Sequence, residues 1–156
     1  MQTEPGHRVN MNPLDHTCLP AVLGLPLFLP LAGARVPAGF PSPADNHLDE
    51  GIDLSRHFVR HPTSTFVVRV AGESLIGIGI RPGDYLVVDR SRDPGEGDVV
   101  LAVVDGDFTA KCYRTIGGRT TLAAENPTCP SIVWREGCEI WGVVTSVHRD
   151  LLSASG

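Results

Sequence analysis

Apolar and polar positions alternate over short runs in the second half of the chain, and Gly or Pro separates the runs. Such runs, rich in β-branched residues and bounded by turn formers, predict strands rather than helices. Asp105-Gly106 and Gly117-Gly118 have the composition of two-residue hairpin turns. The pattern predicts a mainly β fold, a twisted, partly coiled antiparallel domain with little helix. The predicted strands are 65–70, 84–89, 98–104, 108–114, 120–124, 131–134 and 140–148.

The first part of the chain lacks this alternation. Residues 1–18 are polar and rich in turn formers, which predicts a flexible tail, and Met11 is an alternative start to Met1. Residues 21–34 are the most apolar run. They could form a signal-peptide core with Ala32-Gly33-Ala34 as its cleavage site, but no basic segment precedes them, and Pro26 and Pro30 would break the helix of such a core. An extended arm that lies across apolar surface fits better.

A proline-rich segment follows the apolar run. Pro37, Pro41 and Pro43 keep the backbone extended, as a protease substrate must be when it enters an active site. The small dipeptide Ala38-Gly39 lies in the middle of this segment. A simple proline-rich linker is the alternative interpretation. Residues 44–60 are expected to supply one short helix or turn.

Composition narrows the functional classes. The chain has 156 residues with 17 Gly and 13 Pro, carries a net charge of -5 and has no run of Lys or Arg. Strong direct binding to nucleic acid is therefore not expected, and a role in DNA metabolism would act through protein partners. His57 and His61 are four residues apart without an intervening Glu, so no zinc-protease helix is predicted, and no metal or cofactor is expected.

No two of the cysteines form a Cys-x-x-Cys pair and no histidine lies at zinc-finger spacing from them, so no zinc motif is predicted. They are predicted to be free thiols because the cytosol is reducing. A disulfide between Cys129 and Cys138 is the minority alternative. The four cysteines are Cys18, Cys112, Cys129 and Cys138.

Ser74 and Lys111 are the candidate catalytic residues. Ser74 follows the strand at 65–70, where a serine at a strand end can present its hydroxyl and neighbouring N–H groups to a substrate. Lys111 lies within a strand, and alternation places it with Thr109 and Tyr113 on the face opposite Phe108. By alternation alone, Lys111 points to solvent. A lysine acts as a base only when neutral, and its ordinary pKa near ~10.4 leaves roughly four in ten thousand molecules neutral at pH 7. Burial in an apolar pocket would lower that pKa.

Several segments resemble the LexA/UmuD self-cleaving serine peptidases, and the UmuD branch in particular. The resemblance covers residues 25–148 and implies the LexA/signal-peptidase-like β fold. It is carried by Phe66-Val-Val-Arg-Val-Ala-Gly-Glu-Ser-Leu-Ile76, Gly79-Ile-Arg-Pro-Gly-Asp-Tyr-Leu-Val-Val-Asp89, Gly97-Asp-Val-Val100, Asp105-Gly-Asp-Phe-Thr-Ala-Lys111, Gly142-Val-Val144, and, nearer the N-terminus, Leu25-Pro-Leu-Phe28, Pro41-Ser-Pro-Ala44, Ile52-Asp-Leu54 and His61-Pro62.

The resemblance implies roles for particular residues. Ser74 would be the nucleophile, its backbone N–H an oxyanion donor, and Lys111 the general base. Ala38-Gly39 would be the scissile bond. The implied organisation is an arm at 1–38 removed by self-cleavage, a linker at 39–65 and a Ser–Lys peptidase domain at 66–156. The implied protein is a cytoplasmic homodimer stimulated by a RecA–single-stranded DNA filament, whose trimmed form serves a UmuC-like Y-family translesion polymerase.

This chain departs from the family pattern at three places. Leu75 replaces the usual Met after the serine, Ala38 replaces the Cys common in UmuD-type proteins, and Gly77-Ile78 replaces a commonly acidic position. Three alternatives stay open: a non-cleaving interaction protein, a LexA-like repressor relative without its DNA-binding domain, and a signal-peptidase-like enzyme acting in trans. The third is disfavoured by the lack of a membrane anchor.

Overall fold

A seven-stranded antiparallel sheet forms the body of the protein, and a separate two-stranded sheet precedes it. The computed structural model describes residues 28–32 and 48–152. The only α-helix in these ranges is α1, Leu54–Phe58, and single 3-10 turns occur at Pro62–Ser64 and Ile76–Ile78. The strands are β1 Phe28–Ala32, β2 Leu48–Asp53, β3 Thr65–Arg69, β4 Tyr85–Asp89, β5 Val99–Val104, β6 Asp107–Ile116, β7 Arg119–Ala123, β8 Ile132–Val133 and β9 Cys138–His148.

The mainly β prediction is confirmed. The strand order of the large sheet is β3-β4-β9-β5-β6-β7-β8, and each of its strands overlaps one of the predicted ranges. The main differences in length are β6, which is three residues longer than predicted, and β8, which keeps only two residues. Strands β1 and β2 were not predicted. The sequence of β2, Leu-Asp-Glu-Gly-Ile-Asp, shows no strand alternation, and the strand exists because β1 pairs with it. Helix α1 falls in the range where a short helix was expected.

Both predicted hairpins are present. Asp105 and Gly106 have φ values of 51° and 91°, and the residues that flank them, Val104 and Asp107, are paired. A two-residue turn with two positive φ angles matches the right-handed twist of the flanking strands, which is why Asp-Gly suits it. Gly117-Gly118 forms the corresponding turn between β6 and β7, with φ values of 59° and 75°.

The large sheet buries apolar side chains on both of its faces. On one face the buried cluster comprises Leu75, Ile80, Leu86, Val88, Leu101, Cys112 and Ala123. On the other face it comprises Val100, Ala102, Leu122 and Val143. Strands β5 and β7 contribute buried residues to both clusters, and β6 between them contributes Cys112 to the first and packs Tyr113 against the second. Alternation along these strands therefore does not separate a buried face from a solvent face.

The three cysteines within the described residues, Cys112, Cys129 and Cys138, are free thiols, so the alternative of a Cys129–Cys138 disulfide is wrong. In residues 28–32 and 48–152, no helix has the length and apolar character needed to cross a membrane. Three of the predicted features lie wholly or partly outside the described residues: the tail at 1–18, the alternative signal-peptide cleavage site at Ala32-Gly33-Ala34 and the dipeptide Ala38-Gly39.

Candidate active site

Ser74 lies on a tight turn between β3 and the 3-10 turn at Ile76–Ile78. The turn closes through hydrogen bonds from Ile78 N and Ile80 N to Leu75 O, both 3.2 Å long. The Leu75 side chain is 2 % exposed and belongs to the buried cluster, so it anchors the turn next to the serine. Replacement of the family's usual Met by Leu therefore keeps an apolar anchor at this position.

The Ser74 side chain contacts strand β6 one residue before the candidate base. Ser74 Oγ donates a hydrogen bond of 3.0 Å to the carbonyl oxygen of Ala110, and the serine is half-buried. Ala110 directly precedes Lys111 along β6. The fold thus brings the turn of Ser74 against the strand of Lys111, although 36 residues separate Ser74 from Ala110 in sequence. In this structure, the hydroxyl donates to the Ala110 carbonyl, and no hydrogen bond joins the Ser74 and Lys111 side chains.

Lys111 is buried, with 7 % of its surface exposed. The prediction from alternation that this lysine points to solvent is wrong. Strand β6 alternates as expected, and Lys111 is paired with Val100 of β5. The face that they share is not exposed, because Val100 is itself fully buried in the second cluster. Burial lowers the pKa of the Lys111 ammonium group, and the nearby Cys129 thiol acts in the opposite direction. Within the described residues no carboxylate forms an ion pair with this group, and none contributes to its pKa.

An apolar cavity of about 250 Å³ opens beside the serine. Its walls come from the end of β3, the residues that lead to Ser74, and the start of β6, where Phe108 and Ala110 lie. A cavity of this size accepts a small side chain next to the nucleophile, and its lining is mainly apolar, with Arg69, Ser74 and Thr109 as the polar side chains. No group of His, Cys, Asp and Glu side chains in the described part of the chain could hold a metal ion.

His57 and His61, the other candidate bases, do not contact Ser74. His61 Nδ1 lies 2.6 Å from Asp89 Oδ2, and His57 is exposed on α1. Burial raises the pKa of Asp89, but hydrogen bonds from His61 and Ser91 outweigh that effect and lower it to about 2. This cluster therefore binds His61 to the sheet at β4, away from the residues that line the cavity at Ser74.

The sequence places the chain among known proteins. Residues 30–145 match the model of the family described as "Peptidase S24-like". The chain belongs to this peptidase family. It is 41% identical to the protein SamA of Salmonella typhimurium over 121 residues, which cover 77% of this chain and 85% of SamA. It is 38% identical to the protein MucA of Escherichia coli over 120 residues, covering 75% of this chain and 82% of MucA.

A LexA repressor from Parafrankia sp. is also similar, with 35% identity over 137 residues, 88% of this chain but only 53% of the repressor. The resemblance to the LexA/UmuD peptidases is thereby confirmed, and SamA and MucA represent the UmuD-like branch. The family match spans Ser74, Lys111 and the segment that contains Ala38-Gly39.

Two residues that contact the Ser74 turn were not singled out from the sequence. Glu125 and Asn126 follow β7, and their loop forms hydrogen bonds with the backbone on both sides of the serine. The short run Glu-Asn-Pro carries a turn signal but nothing that points to Ser74, which lies about fifty residues earlier.

Proposed function

We propose that this protein is a UmuD-like SOS-response protein that cleaves its own chain between Ala38 and Gly39 with a Ser74–Lys111 dyad. The observation that carries the proposal is the burial of Lys111, which has no charged partner among the described residues. The lysine directly follows Ala110, whose carbonyl oxygen accepts the hydrogen bond of the Ser74 hydroxyl. Burial lowers the pKa of the lysine and so raises the fraction that can accept a proton.

In the proposed reaction, neutral Lys111 accepts the proton of the Ser74 hydroxyl, and Ser74 Oγ attacks the carbonyl carbon of Ala38. The backbone N–H of Ser74 donates to the oxygen that becomes negatively charged. Lys111 then returns the proton to the nitrogen of Gly39, which leaves as the new N-terminus. A water molecule hydrolyses the ester on Ser74, and Lys111 again serves as the base.

In this structure Ser74 Oγ donates to the Ala110 carbonyl and forms no hydrogen bond with Lys111, so we take this arrangement as the resting state. A change of side-chain conformation must bring the hydroxyl and the amine together before the proton is transferred. Only neutral Lys111 can then accept that proton. The self-cleavage rate should therefore rise about tenfold per pH unit until the pKa of Lys111 is passed, and then level off.

The proposed biological setting follows the family resemblance. A RecA–single-stranded DNA filament would raise the population of the arm conformation that reaches Ser74. Residues 39–156 would then act as the accessory subunit of a UmuC-like Y-family polymerase in the cytoplasm.

We also propose a homodimer, because the edge strands of the large sheet present apolar side chains to solvent. Val67 on β3 is 44% exposed, and Val133 on β8 is 48% exposed. Sedimentation of a monomer at high protein concentration would contradict the dimer.

The decisive experiment is incubation of the purified full chain at alkaline pH, and at neutral pH with RecA, single-stranded DNA and nucleotide. Intact-mass analysis should find a product that begins Gly39-Phe40-Pro41. Ser74→Ala and Lys111→Ala should abolish cleavage at every pH, whereas Ser91→Ala, a serine of the His61 cluster, should cleave normally.

Three results would contradict the proposal. An intact Ala38-Gly39 bond under all conditions would favour a non-cleaving interaction protein. A product that begins at Arg35 would favour removal of a signal peptide. If the Lys111→Ala protein still cleaves, with a rate that titrates near the ordinary pKa of histidine of about 6.5, the base would be a histidine and not Lys111.

A further inference from the structure

The loop after β7 is hydrogen-bonded to the backbone on both sides of Ser74. Glu125 N donates to the carbonyl oxygen of Ser74 over 2.7 Å, and the side-chain amide of Asn126 donates to the carbonyl oxygen of Glu73 over 3.0 Å. A third bond of 2.7 Å runs from Gly77 N to Glu125 O. The carbonyl groups of the two peptide units that flank the serine therefore both point toward this loop.

The orientation of these carbonyl groups also determines where two amide groups point. A trans peptide unit is planar, with its N–H directed opposite to its C=O, and none of the described residues has a cis peptide bond. The unit whose carbonyl belongs to Glu73 carries the N–H of Ser74, and the unit whose carbonyl belongs to Ser74 carries the N–H of Leu75. Both N–H groups thus point away from the loop, and neither donates to an acceptor within the described residues.

Asn126 is itself held in one orientation. It is 7 % exposed, and its Oδ1 accepts hydrogen bonds from Thr128 N at 3.1 Å and Thr128 Oγ1 at 3.0 Å. Two donors on the oxygen side leave the NH₂ group to face the carbonyl of Glu73, so the amide cannot turn over without losing all three bonds. A side chain fixed in this way transmits its position to the peptide unit that it contacts.

We propose that Asn126 is a positioning residue for the self-cleavage reaction. The carbonyl of Glu73 also accepts a longer hydrogen bond of 3.3 Å from Ile76 N within the turn. By holding this carbonyl at the shorter distance of 3.0 Å, the side-chain amide of Asn126 directs the N–H of Ser74 at the oxyanion that forms on the carbonyl of Ala38. Asn126 touches no reacting atom and acts through the peptide unit between Glu73 and Ser74. This inference rests on the proposed function, because it assigns a role within that same reaction.

The expected effect follows from the cost of losing an oxyanion donor. Removal of one such donor slows catalysis by about 10²–10³-fold, and a donor that is only misdirected should cost less. We expect Asn126→Ala to lower the alkaline plateau of the cleavage rate on the order of 10- to 100-fold. The midpoint of its pH–rate profile should stay at the wild-type value, because the turn that carries Cys129 beside Lys111 is closed by the backbone carbonyl of Asn126, which the substitution keeps. A general loosening of the fold would instead expose the lysine and move the midpoint.

Two further variants separate the donor of Asn126 from other contacts of the loop. Asn126→Asp keeps the shape and an oxygen for Thr128, but places an acceptor against the carbonyl of Glu73, so its plateau should be as low as that of Asn126→Ala. Ser131→Ala removes the hydrogen bond from Ala124 N to Ser131 Oγ next to the same loop and leaves Asn126 in contact with Glu73, so its plateau should stay near that of the wild type. Urea unfolding of each variant shows that the protein compared is folded.

The experiment measures cleavage of the purified full chain across alkaline pH by intact mass. Three results would overturn the positioning role: a wild-type plateau in Asn126→Asp, a loss in Asn126→Ala that comes entirely from a shifted midpoint, or a loss in Ser131→Ala as large as in Asn126→Ala. These outcomes are read only against a wild-type protein that cleaves and a Ser74→Ala protein that does not. If the wild type itself fails to cleave, the proposed function is wrong, and the assignment of Asn126 falls with it.

Discussion

Replacement of Lys111 by Met should make the folded protein more stable at neutral pH. The lysine is 7 % exposed, and burial lowers its pKa in the folded state. Between that folded pKa and the unfolded pKa of about 10.4, the unfolded chain binds more protons than the folded one. The stability of a protein that carries Lys111 therefore rises with pH across this interval. Methionine fills a similar volume without a charge and should show no such dependence.

The size of the effect is set by the shift of the lysine's pKa. Each unit of the shift costs the folded state about 1.36 kcal/mol, against a total stability of roughly 5–15 kcal/mol for an ordinary domain. The stability difference between Lys111→Met and the parent should be largest and constant below the folded pKa. It should then shrink by about 1.36 kcal/mol per pH unit and reach a constant minimum above pH 10.4 or so.

Lys111 is the only lysine in the sequence, which makes this prediction directly measurable. A sample labelled with ¹³C-lysine gives one lysine signal, and its pH titration by NMR reports the folded pKa. Urea unfolding of Ser74→Ala and of Ser74→Ala/Lys111→Met, from neutral to alkaline pH, gives the stability difference. The Ser74→Ala background prevents cleavage during both experiments. Thr115→Met, an exposed substitution on the same strand, is the matched control and should give a difference that does not change with pH.

The three measurements must agree. The pKa from NMR, the pH at which the stability difference begins to shrink, and the midpoint of the wild-type cleavage profile all report the protonation of one amine. A lysine signal that titrates near its ordinary pKa of about 10.4 would refute the argument, because Lys111 would then not be desolvated. A stability difference that stays flat while the NMR pKa is low would also refute the argument, because it would require an equally low lysine pKa in the unfolded chain.

Two other substitutions test contacts around the Ser74 turn. An added Cβ at Gly77 would lie well inside van der Waals distance of Glu125 O, so Gly77→Ala should lower the free energy of unfolding in urea by about 1–3 kcal/mol and slow cleavage. Gly72→Ala is the control, because a Cβ at that position meets nothing within 4 Å. Equal stability of the two variants would contradict the structure. Hydrogen bonds from Arg149 lower the pKa of the buried Asp84 carboxyl group in the folded state. The wild-type protein should therefore be more stable than Asp84→Asn above pH about 3.8, and this difference should disappear as the pH falls through the lower folded pKa. Unfolding experiments in the Arg149→Met background should show that dependence weakened, and an unchanged dependence there would assign it to another carboxylate.

The sequence by itself determined the strands and the two tight hairpins, because both depend on neighbouring residues. Alternation and β-branched content locate the strands, and Asp105-Gly106 and Gly117-Gly118 supply the positive φ angles that the turns require. It also singled out Ser74 and Lys111, through motifs that keep the order and spacing of the family. What local pattern missed is β1 and β2, since β2 has no alternation of its own and becomes a strand only by pairing with β1.

The environment of the site was decided by tertiary structure alone. Alternation placed Lys111 on a solvent face, but β6 lies inside a sheet that is covered on both faces, so the lysine is buried beside Val100. The contact between Ser74 and Ala110 and that between Asn126 and Glu73 span 36 and 53 residues. Contacts of that range depend on how the strands and loops pack, which no local pattern encodes. Residue types can therefore name a nucleophile and a base, whereas burial of the amine and the direction of the amide groups near the serine arise only when the chain has folded.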